Sequence, residues 1–209
     1  MKDIYQERYI KHQESKKTMK AIMPIRRYSD SEIAPLFDIM YNRRSQRLFN
    51  DKDIPEEDLV TLINAAGTSP SSCNRMAVGI KIVRNKAKID ALSSRFLVGG
   101  KGWLGKANLV LLFLADMYAY KSLAEVDFMP FLDTGFMAQN IYLACEATSI
   151  GACFVNPNIR DEDKEEFNSL FVPEGHRFCG AMALGLYGMR ECKKAPNDVE
   201  IKGDWSGYE

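Results

Sequence analysis

Two histidines, no long apolar run and an odd, scattered set of cysteines limit what this 209-residue chain can be. With only His12 and His176 available, a zinc site built on histidines or a Ser-His-Asp triad has little to draw on. The cysteines, Cys73, Cys145, Cys153, Cys179 and Cys192, show neither C-x-x-C nor Cys/His metal spacing. Cys145, Cys153 and Cys179 lie in apolar stretches and read as core thiols, so a reducing cytoplasm is expected and no metal is. The longest apolar run, Leu109 to Ala115, is far shorter than the ~20 residues a bilayer requires. The N-terminus is polar and lacks an apolar signal core, so neither membrane insertion nor export is expected. Net charge is absent too, with 28 basic and 28 acidic side chains, and no overall field favours nucleic acid.

What is present is ordinary for a globular chain, 46% hydrophobic and 27% charged, but unevenly arranged. Residues 1–30 carry basic groups in excess, and residues 3–22 read as a polar, basic helix, either an exposed face or an arm around a partner. A break at Pro24 precedes a helix expected from Glu32 to Asn42, capped by Asp30 or Ser31. Pro55 and the acids Glu56, Glu57 and Asp58 suit the start of a helix through Ala66, with Leu59, Leu62, Ile63 and Ala66 on one stripe. Strands are expected at Gly79–Arg84, Leu109–Ala115, Ala152–Val155 and Phe178–Tyr187, and helices at Lys86–Phe96 and Asp161–Leu170. Leu109–Ala115, apolar throughout, predicts a central strand covered on both faces. Met129–Thr148 predicts a long helix apolar on nearly every side, through Phe131, Leu132, Phe136, Met137, Ile141, Tyr142 and Leu143. Such a helix is buried in the core or between subunits. Helices alternating with strands, without repeats, make a mixed α+β or α/β domain.

Two segments could carry chemistry. Asn42-Arg43-Arg44-Ser45-Gln46-Arg47 sets three guanidinium groups and a hydroxyl within five residues. It is either a solvated basic helix end or a fork onto a phosphate. Ser69-Pro70-Ser71-Ser72-Cys73-Asn74 is either an ordinary helix-terminating loop or a turn that brings hydroxyls against a flat polar ligand.

Taken together and in order, R-R-S-x-R, a helix, then P-S-S-x-N running into a strand resembles the opening of the nitroreductase family. Asp133-Thr134-Gly135 with Ala138-Gln139-Asn140 resembles the start of that family's central helix. Ile150–Val155 resembles its following turn and strand, and Ala183–Tyr187 its last core strand. The resemblance spans roughly residues 34–196. It leaves 1–33 as an N-terminal helical extension and 197–209 as a tail.

The resemblance implies an α+β fold, a central mixed and mainly antiparallel sheet flanked by helices, with the long helix at a homodimer interface. It implies FMN as cofactor. Arg43, Ser45 and Arg44 would hold its phosphate and ribityl chain, and Arg47 would lie near its pyrimidine ring. Pro70, Ser71, Ser72 and Asn74 would reach it from the partner subunit. Backbone around Phe154, Val155 and Asn156 would line its reactive edge, and Lys193 and Lys194 would complete the phosphate site. Electrons would pass from NAD(P)H to a small electron-poor molecule such as a nitroaromatic or quinone. The flavin does that chemistry itself, so no catalytic acid–base pair is required. Other members dehalogenate aromatic rings or break down the flavin, and a flavin-sequestering protein is a further reading. Met76, Ala77 and Val78 stand where the family usually has Gln, Pro and an aromatic, which removes one polar contact. Trp103 is either a lid or core. Substrate choice is expected in the loops around Trp103 and Tyr118-Ala119-Tyr120.

Overall fold

The computed structural model describes residues 28–97, 100 and 102–186. The polar helix expected over 3–22, Lys193 and Lys194, Tyr187 and the tail 197–209 lie outside those residues. Five α-helices are described: α1 (Asp30–Asn42), α2 (Glu56–Gly67), α3 (Lys86–Ser94), α4 (Leu123–Ala147) and α5 (Lys164–Phe171). Four strands complete the set: β1 (Val78–Val83), β2 (Leu109–Asp116), β3 (Ile150–Val155) and β4 (His176–Leu186). They form one sheet in the order β1-β2-β4-β3, antiparallel at every pairing. The parallel component is a single bridge from Ser45 to Ala152.

β2 explains its own composition. Successive side chains alternate between faces: Leu109, Leu111, Phe113 and Ala115 enter one core, Val110, Leu112 and Leu114 the other. The first core is closed by α2 and α4 through Leu59, Leu62, Met137 and Ile141. The second is closed by α3 and α5 through Ile89, Leu92, Phe167 and Phe171. A strand covered on both sides has no polar face to show, hence the unbroken run.

Sequence and structure differ at several element ends. α1 begins at Asp30 because Ser29, not Asp30 or Ser31, is the cap, with the Glu32 carboxylate accepting from Ser29 N–H at 2.9 Å. α4 begins at Leu123, well before Met129, and runs through Pro130. Proline lacks the N–H that Val126 C=O would accept. Arg177 Nη1 donates to that carbonyl instead, so the orphaned acceptor has a partner and the helix continues. β4 begins at His176, two residues before the expected Phe178, and Tyr120 is buried rather than presented to substrate. Among the described cysteines, Cys145, Cys153 and Cys179 are buried and Cys73 is exposed.

Candidate functional site

The arginine segment follows α1 directly. Gln46 N–H donates to Ala152 C=O at 2.8 Å, docking residues 45–46 along the free edge of β3. The approach is close: a Cβ on Gly151 would lie 3.1 Å from Gln46 and 3.2 Å from Phe49. Docking brings Ser45 against the far half of α4, where its Oγ lies 3.4 Å from Tyr142 Oη. The Arg43 guanidinium sits over the Tyr142 ring, 4.9 Å from its centroid. Tyr142 Oη also accepts from Phe154 N–H at 2.6 Å. One phenol therefore joins Arg43 and Ser45, from the segment after α1, to Phe154 of β3. Burial raises the pKa of that phenol, against the hydrogen bonds to Ser45 and Phe154 and the charge of Arg43. It is a neutral O–H at neutral pH.

The other predicted residues sort differently. Arg44 turns back and donates to Tyr41 C=O and Arg43 C=O at 2.8 and 2.7 Å, closing the carboxyl end of α1. Arg47 is exposed, its guanidinium 5.6 Å from the centroid of Trp103, which is half-buried against the second core. The Phe154 ring packs on Phe113 and passes directly over Gly180, where a Cβ would come within 2.3 Å of it. The Val155 side chain is buried in the second core, and Asn156 is exposed beyond the strand end.

Pro70, Ser71, Ser72 and Asn74 lie at the opposite half of α4. Asp133, 2% exposed, accepts from Ser72 N–H at 2.8 Å and from Ser72 Oγ at 2.9 Å, and its second oxygen accepts from Tyr120 Oη at 3.2 Å. Burial first, then Asp133, raises the Tyr120 pKa. Ser71 Oγ accepts from Met76 N–H at 2.9 Å, and Cys73, Asn74 and Met76 all hold positive φ. Backbone in that region costs energy for residues other than glycine and persists only where surrounding contacts over-determine it. Arg75 helps here: its buried guanidinium pairs with Glu125 at 3.2 Å and lies over the Tyr120 ring.

Nine residues of helix separate Asp133 from Tyr142, about 13 Å at 1.5 Å per residue. Within one chain the loop and the arginine segment are thus held at two different stations of α4. The outer face of α4 leaves Phe128, Phe131, Leu132 and Phe136 exposed, and α1 adds Leu36, Phe37, Met40 and Tyr41. A cleft of about 470 Å³ beside Lys81, Arg84 and Leu170 includes none of the predicted site residues. Among the described residues no cluster of three or more His, Cys, Asp or Glu could hold a metal, and no helix is long and apolar enough to cross a membrane.

Tyr142 and Asp133 are functional candidates that the sequence does not single out, since Tyr142 falls among apolar residues and Asp133 within the Asp133-Thr134-Gly135 run. Both are polar groups on an otherwise apolar helix, and a buried polar group must find a partner. That was the available signal.

The sequence model described as the nitroreductase family matches residues 40–101 and 95–186. A Bacillus subtilis FMN reductase (NADPH) is 27% identical over 151 residues, which is 66% of this chain and 59% of that protein. An Archaeoglobus fulgidus protein, a candidate NADH dehydrogenase/NAD(P)H nitroreductase by name, is 26% identical over 152 residues, covering 70% of this chain and 82% of its own. An FMN-dependent nitroreductase from Clostridium difficile superimposes with a TM-score of 0.68 at 24% identity, covering 80% of this chain and 99% of the other. The last likeness is one of fold.

Proposed function

The chain belongs to the nitroreductase family, and from that premise we propose that it is an FMN-dependent oxidoreductase passing electrons from NAD(P)H to a small electron-poor acceptor such as a nitroaromatic or quinone. The observation that carries the reading is the convergence of Arg43, Ser45 and the Phe154 backbone on Tyr142. That donor set suits a phosphate monoester on a polyol chain. A guanidinium meets the dianion, and hydroxyls meet the phosphate oxygens and the chain. FMN, when bound, supplies the hydride and electron transfer.

The chain's own residues would bind and tune it. Arg43 and Ser45 anchor the phosphate end. Backbone around Phe154 to Asn156 lines the ring, held in line by the Phe154 amide bond to Tyr142. Arg47, over the Trp103 face, would supply a cation for the ring carbonyl that gains charge on reduction. Pro70, Ser71, Ser72 and Asn74 would complete the site from a second copy of the chain. Two features support this: the loop's distance along α4 from Tyr142, and the apolar stripe of α4 and α1, which resembles half of a bisected core. Lys193 and Lys194 remain candidates for the phosphate site.

The test is the absorbance spectrum of the purified protein before and after denaturation. Yellow protein that releases FMN, and that NAD(P)H bleaches with return of colour on adding a quinone, is the expected outcome. Colourless protein that takes up no added flavin overturns the proposal. Bound flavin that NAD(P)H does not reduce makes the chain a flavin-sequestering protein instead.

A further inference from the structure

We propose that Tyr142 is a binding residue of this site, donating its phenolic O–H to the phosphate or adjacent ribityl oxygens of the flavin. The inference rests on the FMN reading above and adds to the anchor a residue that neither the arginine segment nor the loop motif supplies.

The geometry decides what the hydroxyl can do. Its oxygen already accepts from Phe154 N–H at 2.6 Å. A phenol has one proton to give, and the accepted bond leaves that proton to be given elsewhere. Ser45 Oγ stands 3.4 Å away, too far for a strong hydroxyl–hydroxyl bond and near enough for both groups to face one ligand atom. The Arg43 guanidinium, stacked over the same ring, sets a positive charge beside that space. A cation and two hydroxyl donors converging from α4 and the segment after α1 make an anion pocket. Burial, which raises the phenol's pKa, keeps the donor protonated. Fixing the ring between Arg43 and Phe154 also orients the donor before the ligand arrives, so little ordering is left to binding.

Tyr142→Phe retains the ring beneath Arg43 and removes only the hydroxyl. The expected result is a loss of FMN affinity of roughly tenfold or more, the usual worth of a hydrogen bond to a charged group. Riboflavin, which has no phosphate, should change by less than about twofold if the donated bond goes chiefly to phosphate, and by the same factor as FMN if it goes to the ribityl chain that both ligands share, the double variant then separating that case from a structural role. The double variant with Ser45→Ala should lose less than the product of the single losses, because both hydroxyls serve one ligand group. A purely structural role predicts otherwise. The unpaired Phe154 N–H would lower the melting temperature, FMN and riboflavin would weaken equally, and the two variants would combine independently; that pattern overturns the proposal. So does FMN affinity within about twofold of wild type. A crystal structure of FMN-loaded wild type needs no variant to fold: Tyr142 Oη within about 3.2 Å of a phosphate or ribityl oxygen is the expected contact, and its absence overturns the assignment. Wild type that binds no FMN at all overturns the reading on which the inference rests.

Discussion

The Asp133 carboxylate holds Ser72 twice, through its main-chain N–H at 2.8 Å and its hydroxyl at 2.9 Å, and so ties the P-S-S-x-N loop to the interior of α4. The next residues, Cys73 and Asn74, are then carried through positive φ. Loop shape is set by a residue some sixty positions away in sequence, and α4 is the ruler that spaces this loop from Arg43 and Ser45.

Replacing that carboxylate tests the tie. Asp133→Ala leaves Ser72 N–H and Tyr120 Oη without their acceptor, and Ser72 Oγ with Met129 Sδ alone. A buried polar group without a partner costs about 1–3 kcal/mol, so a loss of about 3 kcal/mol is expected, some water relieving part of the total. Urea unfolding measures it. Hydrogen exchange on residues 70–76 of the folded variant should lose protection there and not in β2. An unchanged urea midpoint contradicts the role given to Asp133.

The apolar stripe on α4 predicts assembly. Phe136→Asp, at an exposed position of a single chain, should convert a dimer to a monomer in light scattering and release bound flavin. An exposed surface position without a partner would tolerate the change within about 0.5 kcal/mol. A wild type that is a flavin-loaded monomer rules the arrangement out.

Arg43→Ala should weaken FMN binding about tenfold or more through the lost charge-assisted bond, while riboflavin is nearly unaffected. Equal losses for the two ligands would mean that Arg43 serves the Tyr142 stack alone.

Arg47 is predicted to tune rather than anchor. A cation near the reduced ring stabilises its added negative charge by roughly 1–2 kcal/mol after screening. At about 30 mV per 1.4 kcal/mol for two electrons, Arg47→Gln should lower the midpoint potential by ~20–45 mV. Spectroelectrochemistry on flavin-saturated protein decides; an unchanged potential keeps Arg47 on Trp103 and off the ring.

Stability should fall in alkali. Burial above all lifts the Cys179 thiol from 9.0 up to about 11, and burial raises the Tyr142 hydroxyl as well. A group whose folded pKa is raised favours folding fully below its unfolded pKa and loses that contribution as pH climbs through the folded one. For Cys179 the window is 9.0 to about 11. Urea midpoints measured from neutrality upward should be level until the lower limit and then decline, and Cys179→Ala should flatten the slope. Midpoints that hold level across the whole window contradict the burial of these groups.

Much was legible from residue order because burial has a period. The run Leu109–Ala115 announced a strand with two covered faces, Leu59, Leu62 and Ala66 announced the stripe of α2, and Cys145, Cys153 and Cys179 announced themselves as interior. The arginine and serine segments were visible as chemistry, each open to a bland reading until their order was considered. What only the tertiary structure decided were contacts between distant segments. α4 crosses Pro130 because Arg177, on another strand, reaches the Val126 carbonyl. Tyr142 bonds Phe154 and faces Ser45, and Tyr120 withdraws into the core to meet Asp133. Periodicity reports which side of an element is buried, a property of neighbours along the chain. Which buried hydroxyl meets which donor is fixed only when the sheet and α4 close around it, since a buried polar group must find its partner wherever the fold supplies one.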